Sequence, residues 1–167
     1  VCGFNGEGGH TFTNIASNID VIGTTCDVGG LFGIAHYGNS FVNCSCSGDV
    51  EITAATEAAE AEEMGGIAGV WNNGGSNVTL TNCEFTGKLS AKYELDGELV
   101  EFTDFSYNGL VGKAYSASGN GSLIIDGQAY TTKTASTLAE VKDLLSSAST
   151  NGQAVEIDCG GANLGSA

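Results

Sequence analysis

The sequence predicts an all-β chain: a parallel β-helix of about four degenerate repeats, closed by a short C-terminal capping helix. Three observations carry that expectation. A Gly-rich element recurs as GGLFGI at 29–34, GGIAGV at 65–70 and NGLVGK at 108–113. Each copy is followed by a polar Gly/Asn loop and a run of alternating small, polar and apolar residues, the pattern of a strand with one buried face. Gly makes up 26 of 167 residues, about twice the usual share, and Pro is absent.

The elements follow in chain order. Residues 2–23 read as a degenerate leading copy, with Cys2-Gly3-Phe4 as the remnant of the Gly element and FTNIASNIDVIG as its second part. The first full copy continues into SFVNCSCSGDVEI (40–52), the second into VTLTNCEFTGKLSA (78–91) and the third into SLIIDGQAYT (122–131). Asn43-Cys44 thereby matches Asn82-Cys83, and Gly48 matches Gly87 and then Gly127. The loops HYGNS, WNNGGSN and SASGNGS are rich in residues that tolerate positive φ.

A unit of this size cannot bury its own apolar face, so neighbouring copies must stack. Stacking places Leu31, Ile67 and Leu110 in one column, Phe32, Ala68 and Val111 in a second, and Cys44 and Cys83 in a third. Gly33, Gly69 and Gly112 then occupy a corner without room for a side chain. At roughly 20 residues per coil and ~4.8 Å per coil, residues 1–134 give about six or seven coils and a rod on the order of 30 Å long.

Two insertions break the period. EITAATEAAEAEEM (51–64) carries the densest acidic run, and AKYELDGELVEFTDFSYN (91–108) reads as a β-hairpin turning at Asp96-Gly97. Insertions project from one face of a solenoid and often form its binding surface. Beyond residue 134 the pattern changes. STLAEVKDLLSSAS (136–149) has Leu138, Val141, Leu144 and Leu145 at helical spacing, with Thr137 and Glu140 as a capping box. Asn151-Gly152 then turns into a strand at 154–159. Two domains follow: a β-helix at 1–134, and at 135–167 a helix-strand cap or the start of a further solenoid domain.

GGLFGIAHYGNSFVNCSCSGDV and GGIAGVWNNGGSNVTLTNCEFTGKL are similar to the GLUG motif, a Gly-Gly-Leu-Val-Gly start, a short polar gap and an Asn-Cys-x-x-x-Gly end. NGLVGKAYSASGNGSLIIDG is a third copy without the Asn-Cys pair. Proteins carrying this motif resemble large bacterial surface and secreted proteins. They include filamentous-haemagglutinin-like adhesins and the non-catalytic N-terminal parts of IgA-cleaving metallopeptidases. The resemblance implies a β-helical stalk or adhesive segment and carries over no catalytic residue.

Charge and composition narrow the function. The formal net charge is −15, from 20 acids against five Lys and no Arg. Scattered Lys on an acidic body cannot hold a phosphate backbone, so a nucleic-acid partner is not expected. An anionic membrane surface is disfavoured likewise, and no apolar run approaches the roughly 18 residues of a membrane span. Val1 in place of Met, with no charged-then-apolar leader, is what a mature form or an excised piece presents. The acidic, Gly- and Asn-rich composition points to a secreted or cell-surface setting. Asn43, Asn77 and Asn120 head Asn-x-Ser/Thr sequons.

No enzyme is expected. His10 and His36 form no zinc-peptidase frame, and His36 reads as a solvated loop residue. A pectate-type lyase commonly needs an Arg, which is lacking. No repeat presents a paired Asp motif on a strand face for glycoside hydrolysis, and no nucleophile elbow, phosphate loop or calcium-binding repeat occurs. Neither cofactor nor metal is therefore assigned. The six cysteines permit disulfides without choosing a pairing. Cys44 and Cys46 fall on one strand face, where buried thiols stacked on Cys83 are favoured over a disulfide.

Tyr37, Trp71, Tyr107 and Tyr115 are the candidate ligand-binding residues, since three follow the Gly elements closely and could line one flank. Covering the edge of the core is their other role. The expected function is an adhesin or stalk segment that presents loops to a host extracellular protein or glycan. The alternatives are an accessory non-catalytic domain of a larger secreted peptidase or glycan-degrading enzyme, and an extracellular filament subunit associating end to end.

Overall fold

A computed structural model describes residues 2–4, 8–72, 74–114, 121–134, 137–151 and 154–158. These residues are mostly strands, and the architecture is all-β with two helices. The leading copy supplies β1 (Cys2–Phe4), β2 (Thr11–Thr13), β3 (Ala16–Ser17) and β4 (Val21–Gly23). The first full copy supplies β5 (Val28–Gly29), β6 (Phe32–Ala35), β7 (Ser40–Val42), β8 (Ser45–Cys46) and β9 (Val50–Ala55), then α1 (Ala58–Ala61). The second supplies β10 (Met64–Gly65), β11 (Ala68–Trp71), β12 (Val78–Thr81), β13 (Glu84–Phe85) and β14 (Leu89–Leu95), with β15 (Glu98–Phe102) returning along β14. After a 3-10 turn at Tyr107–Gly109 come β16 (Leu123–Ile125), β17 (Gln128–Thr134), α2 (Leu138–Asn151) and β18 (Ala154–Asp158).

Equivalent strands of successive copies pair in parallel and in register. Phe12, Phe41, Leu80 and Ile125 face one another along β2-β7-β12-β16. Phe32 lies between Cys2 and Ala68, and Ala68 bridges to Val111, as the sequence predicts for that column. Leu31 N donates to the Ile67 carbonyl and Ile67 N to the Leu110 carbonyl, which aligns the neighbouring column. Partners lie 29 to 45 residues apart, from Thr11–Ser40 to Thr79–Ile124. The expectation of 20-residue coils is therefore corrected: among the described residues each full copy passes once through all five sheets, the leading copy through four of them, and the third copy joins through β16 and the bridges at Val111 and Ala114, which does not make six or seven coils.

The core is apolar and aromatic. Phe12, Phe32 and Phe41 meet with ring centroids 4.7 to 5.2 Å apart. Val50, Ile52, Ala61 and Met64 fill a second cluster beside the acidic insertion. Gly69 and Gly112 stand where backbones touch: a Cβ would lie 2.5 Å from Val28 N at Gly69 and 1.8 Å from the Gly69 carbonyl at Gly112.

After β2, β7 and β12 the chain turns at Asn14, Asn43 and Asn82, with φ of 57°, 53° and 51°. Asn tolerates this left-handed conformation better than most residues. Asn43 Nδ2 donates to Asn14 Oδ1 at 3.1 Å, and Asn82 Nδ2 donates to Asn43 Oδ1 at 2.8 Å. In the next pass Asp126 takes over, accepting from Asn82 N at 2.6 Å. Gly127 is thus not the equivalent of Gly48 and Gly87. It shares a left-handed turn with Asp126, from which β17 runs back antiparallel to β16.

The insertions partly match expectation. Asp96 and Gly97, at φ of 53° and 83°, turn the β14–β15 hairpin. The start of the acidic segment is the end of β9, and the four-residue α1 follows it. The capping box of α2 forms, with Thr137 N donating to Glu140 Oε2 and Glu140 N to Thr137 Oγ1. β18 then pairs parallel with β17, adding to the sheet that holds β16.

Candidate functional site

The β14–β15 hairpin flanks a groove of about 510 Å³, within the size range of ligand sites. Glu51, Lys88, Lys92 and Glu101 supply charge, and Phe102 and Phe105 supply apolar rings. The strand register explains the grouping. Ser90 pairs with Glu51 and Lys92 with Glu101, so alternation sends Lys88, Ser90 and Lys92 to one side of β14, while Ala91 enters the core. Phe102 stacks edge-on against Phe105 at 5.3 Å and against Tyr93 at 6.5 Å, which stiffens the wall. Two of the five Lys of this acidic chain converge here. Opposed charges beside ring faces can orient a polar ligand and cover its apolar face.

The predicted aromatics do not form one flank. Tyr37 is exposed and its ring lies 4.3 Å from that of His36. Trp71 is wholly buried, in the core instead of on a binding face, because its strand position stacks it between Ala35 and Ala114. Tyr107 is half-buried and stacks edge-on against Tyr130 at 5.2 Å. Tyr115 lies outside the described residues. His36 is also half-buried, not a solvated loop residue, and its Nε2 lies 3.4 Å from Asn72 Nδ2.

Cys26, Cys44, Cys46 and Cys83 are free thiols. Cys44 Sγ points at the Phe12 carbonyl and Cys83 Sγ at the Phe41 carbonyl, each at 3.5 Å, the stacked arrangement expected for buried thiols. Burial raises the thiols of Cys46 and Cys83 above the ordinary range. Cys159 and the Cys2 side chain lie outside the described residues. Of the sequon residues, Asn43 belongs to the asparagine ladder, Asn77 Oδ1 accepts from Ser122 N at 3.0 Å, and Asn120 lies outside the described residues.

A second polar cluster stands where β5 meets β10. One donor atom each from Cys26, Asp27 and Glu63 lies within 4.8 Å of the others. Lys113 Nζ is 3.6 Å from Glu63 Oε1 and 3.9 Å from Glu62 Oε2, and it donates to the Ala59 carbonyl. Desolvation pushes the Asp27 and Glu63 carboxyls and the Cys26 thiol upward, against the opposing pull of Lys113 on both acids. Sequence reasoning missed this group because 36 residues separate Asp27 from Glu63, and only the β5–β10 register joins them. The groove was signalled only as an insertion.

No protein-family model, no curated protein and no solved structure matches the chain. No helix among the described residues is long and apolar enough to cross a membrane.

Proposed function

We propose that the parallel sheets are the faces of one β-helix, and that this rod is a non-enzymatic segment of a secreted or cell-surface protein. The rod holds out the β14–β15 hairpin, and the groove beside it takes a host extracellular protein or glycan. The observation that carries the reading is the parallel pairing of all five strands between the two full copies, and of four of them with the leading copy, with a groove built where an insertion leaves that pattern. Each repeat is one coil. Four coils at ~4.8 Å span on the order of 15 Å from first to last.

The GLUG-like copies support the same architecture and a bacterial surface setting. Pairing of β18 with β17 supports residues 135–167 as a cap on the coil end. The antiparallel returns of β15 and β17 speak against head-to-tail filaments, because they depart from the parallel order that a further coil would continue.

The test is a binding screen of the purified chain against host glycans and extracellular proteins, with light scattering on the same sample. A saturable hit weakened by Lys88→Ala/Lys92→Ala supports the groove. A monodisperse chain that binds nothing refutes the ligand and leaves a spacer or an accessory domain. Growing scattering without binding favours the filament.

A further inference from the structure

The Cys26–Asp27–Glu63 cluster is half-buried beside a β-ladder. Val28 pairs with Met64, and Val28 N donates to the Glu63 carbonyl at 2.9 Å. Asp27 and Glu63 therefore stand at matching positions on adjacent chains, just before the paired strands. Like charges in that relation are destabilising. Lys113 answers Glu63 and Glu62. Among the described residues Asp27 Oδ1 is buried with no hydrogen-bond partner, while Asp27 Oδ2 is 3.9 Å from Cys26 Sγ. A buried carboxylate oxygen without a donor is costly. A ligand that brings positive charge to that oxygen removes the cost.

We propose that Cys26, Asp27 and Glu63 bind one divalent cation of the zinc type, with Lys113 as the balancing charge. The donor set selects the ion. Calcium and magnesium take oxygen ligands in larger number and do not favour a thiolate, whereas zinc accepts sulfur and carboxylate oxygen together in a four-coordinate site. Zinc bonds of about 2.3 Å to sulfur and about 2.0–2.2 Å to oxygen bring tetrahedral donors to roughly 3.3–3.6 Å of one another. The three donors already lie within 4.8 Å, so side-chain rotation closes the remainder. The dication and the Lys113 ammonium together offset the thiolate and the two carboxylates, leaving Glu62 as a negative charge beyond them. Binding releases the Cys26 thiol proton to solvent, and water fills the fourth position. The ion ties the loop before β5 to the end of the acidic insertion.

The test uses the whole chain, stripped with a chelator and titrated with zinc alone, then with cobalt as a spectroscopic probe. One tight equivalent of zinc is expected, with a thiolate-to-cobalt charge-transfer band. Cys26→Ser should abolish the band, and Asp27→Asn or Glu63→Gln should weaken zinc binding by at least about tenfold. Metal-free Asp27→Asn should melt no lower than the metal-free parent, since the near-isosteric amide removes repulsion, whereas Glu63→Gln also removes the ion pair to Lys113. As a check that needs no variant, zinc should slow alkylation of Cys26 in the unaltered chain. Absence of saturable zinc binding, a band that survives Cys26→Ser, or protection of other thiols but not Cys26 overturns the proposal.

Discussion

Replacing Asn43 by Ala tests the stacking of the repeats at a single side chain. Asn43 donates to Asn14 at 3.1 Å and accepts from Asn82 at 2.8 Å, so the change breaks both links of the ladder. The site is exposed, so each bond contributes about 0.5–1 kcal/mol. The backbone at φ 53° adds about 1 kcal/mol for a residue with a Cβ and no local hydrogen bond. The expected loss is about 2–3 kcal/mol. Asn43→Gly breaks the same bonds but relieves the backbone, so it should cost about 1 kcal/mol less than Ala. Urea unfolding reads both. With a slope of about 2 kcal/mol/M, Ala should lower the midpoint by about 1 M at unchanged slope. A change below about 0.3 kcal/mol for Ala, or Gly proving worse than Ala, would refute the ladder argument.

Trp71→Ala should destabilise by about 3–5 kcal/mol, whereas Tyr37→Ala, on an exposed ring, should change unfolding by no more than about 0.5 kcal/mol; paired melting curves check this. Gly112→Ala forces a Cβ onto the Gly69 carbonyl and should cost at least about 2–3 kcal/mol, read as lost soluble protein or a lowered melting midpoint. Burial and raised pKa make Cys46 and Cys83 poor thiolates, so alkylation followed by peptide mapping should show both reacting slowly until the pH exceeds the usual thiol range. Their folded-state pKa lies above the unfolded one, so the neutral thiols stabilise the fold below the unfolded pKa, and that contribution fades as pH rises through the folded value. Glu60 accepts from the backbone N and hydroxyl of Thr56, which lowers its pKa. That contribution is present above the unfolded value and is lost as pH falls through the folded one; a carboxyl NMR titration should place Glu60 below an unpaired Glu.

The repeating part of the fold was legible because stacking leaves a periodic mark. GGIAGV and NGLVGK recur because Gly69 and Gly112 meet backbone on the neighbouring pass, and Asn43 and Asn82 recur because each turns left-handed and donates to the asparagine before it. Period alone did not reveal how many residues make one pass. A 20-residue coil and a whole-repeat coil give similar alternation, and only pairing such as Thr11 with Ser40 separates them. Trp71 misled for a related reason. A residue just after a Gly element sits near a corner, and whether its ring turns in or out depends on the bulk stacked above and below. Ala35 and Ala114 leave room for an indole inside.

What lies off the period is where function can differ between one such repeat chain and another. The ladder and the glycine corners are constrained by the passes on either side, so they cannot change without disturbing their neighbours. The hairpin and the acidic insertion are released from that constraint, since each leaves the stack and returns to it. Their residues nevertheless hold fixed positions relative to the frame: Lys92 faces Glu101 because the hairpin is in register, and Glu63 meets Asp27 because β10 rejoins β5. A rigid periodic scaffold thereby gives two short aperiodic segments a defined geometry. This is why the groove and the thiol-carboxylate cluster, and not the aromatic residues of the repeats, are the places to look for binding.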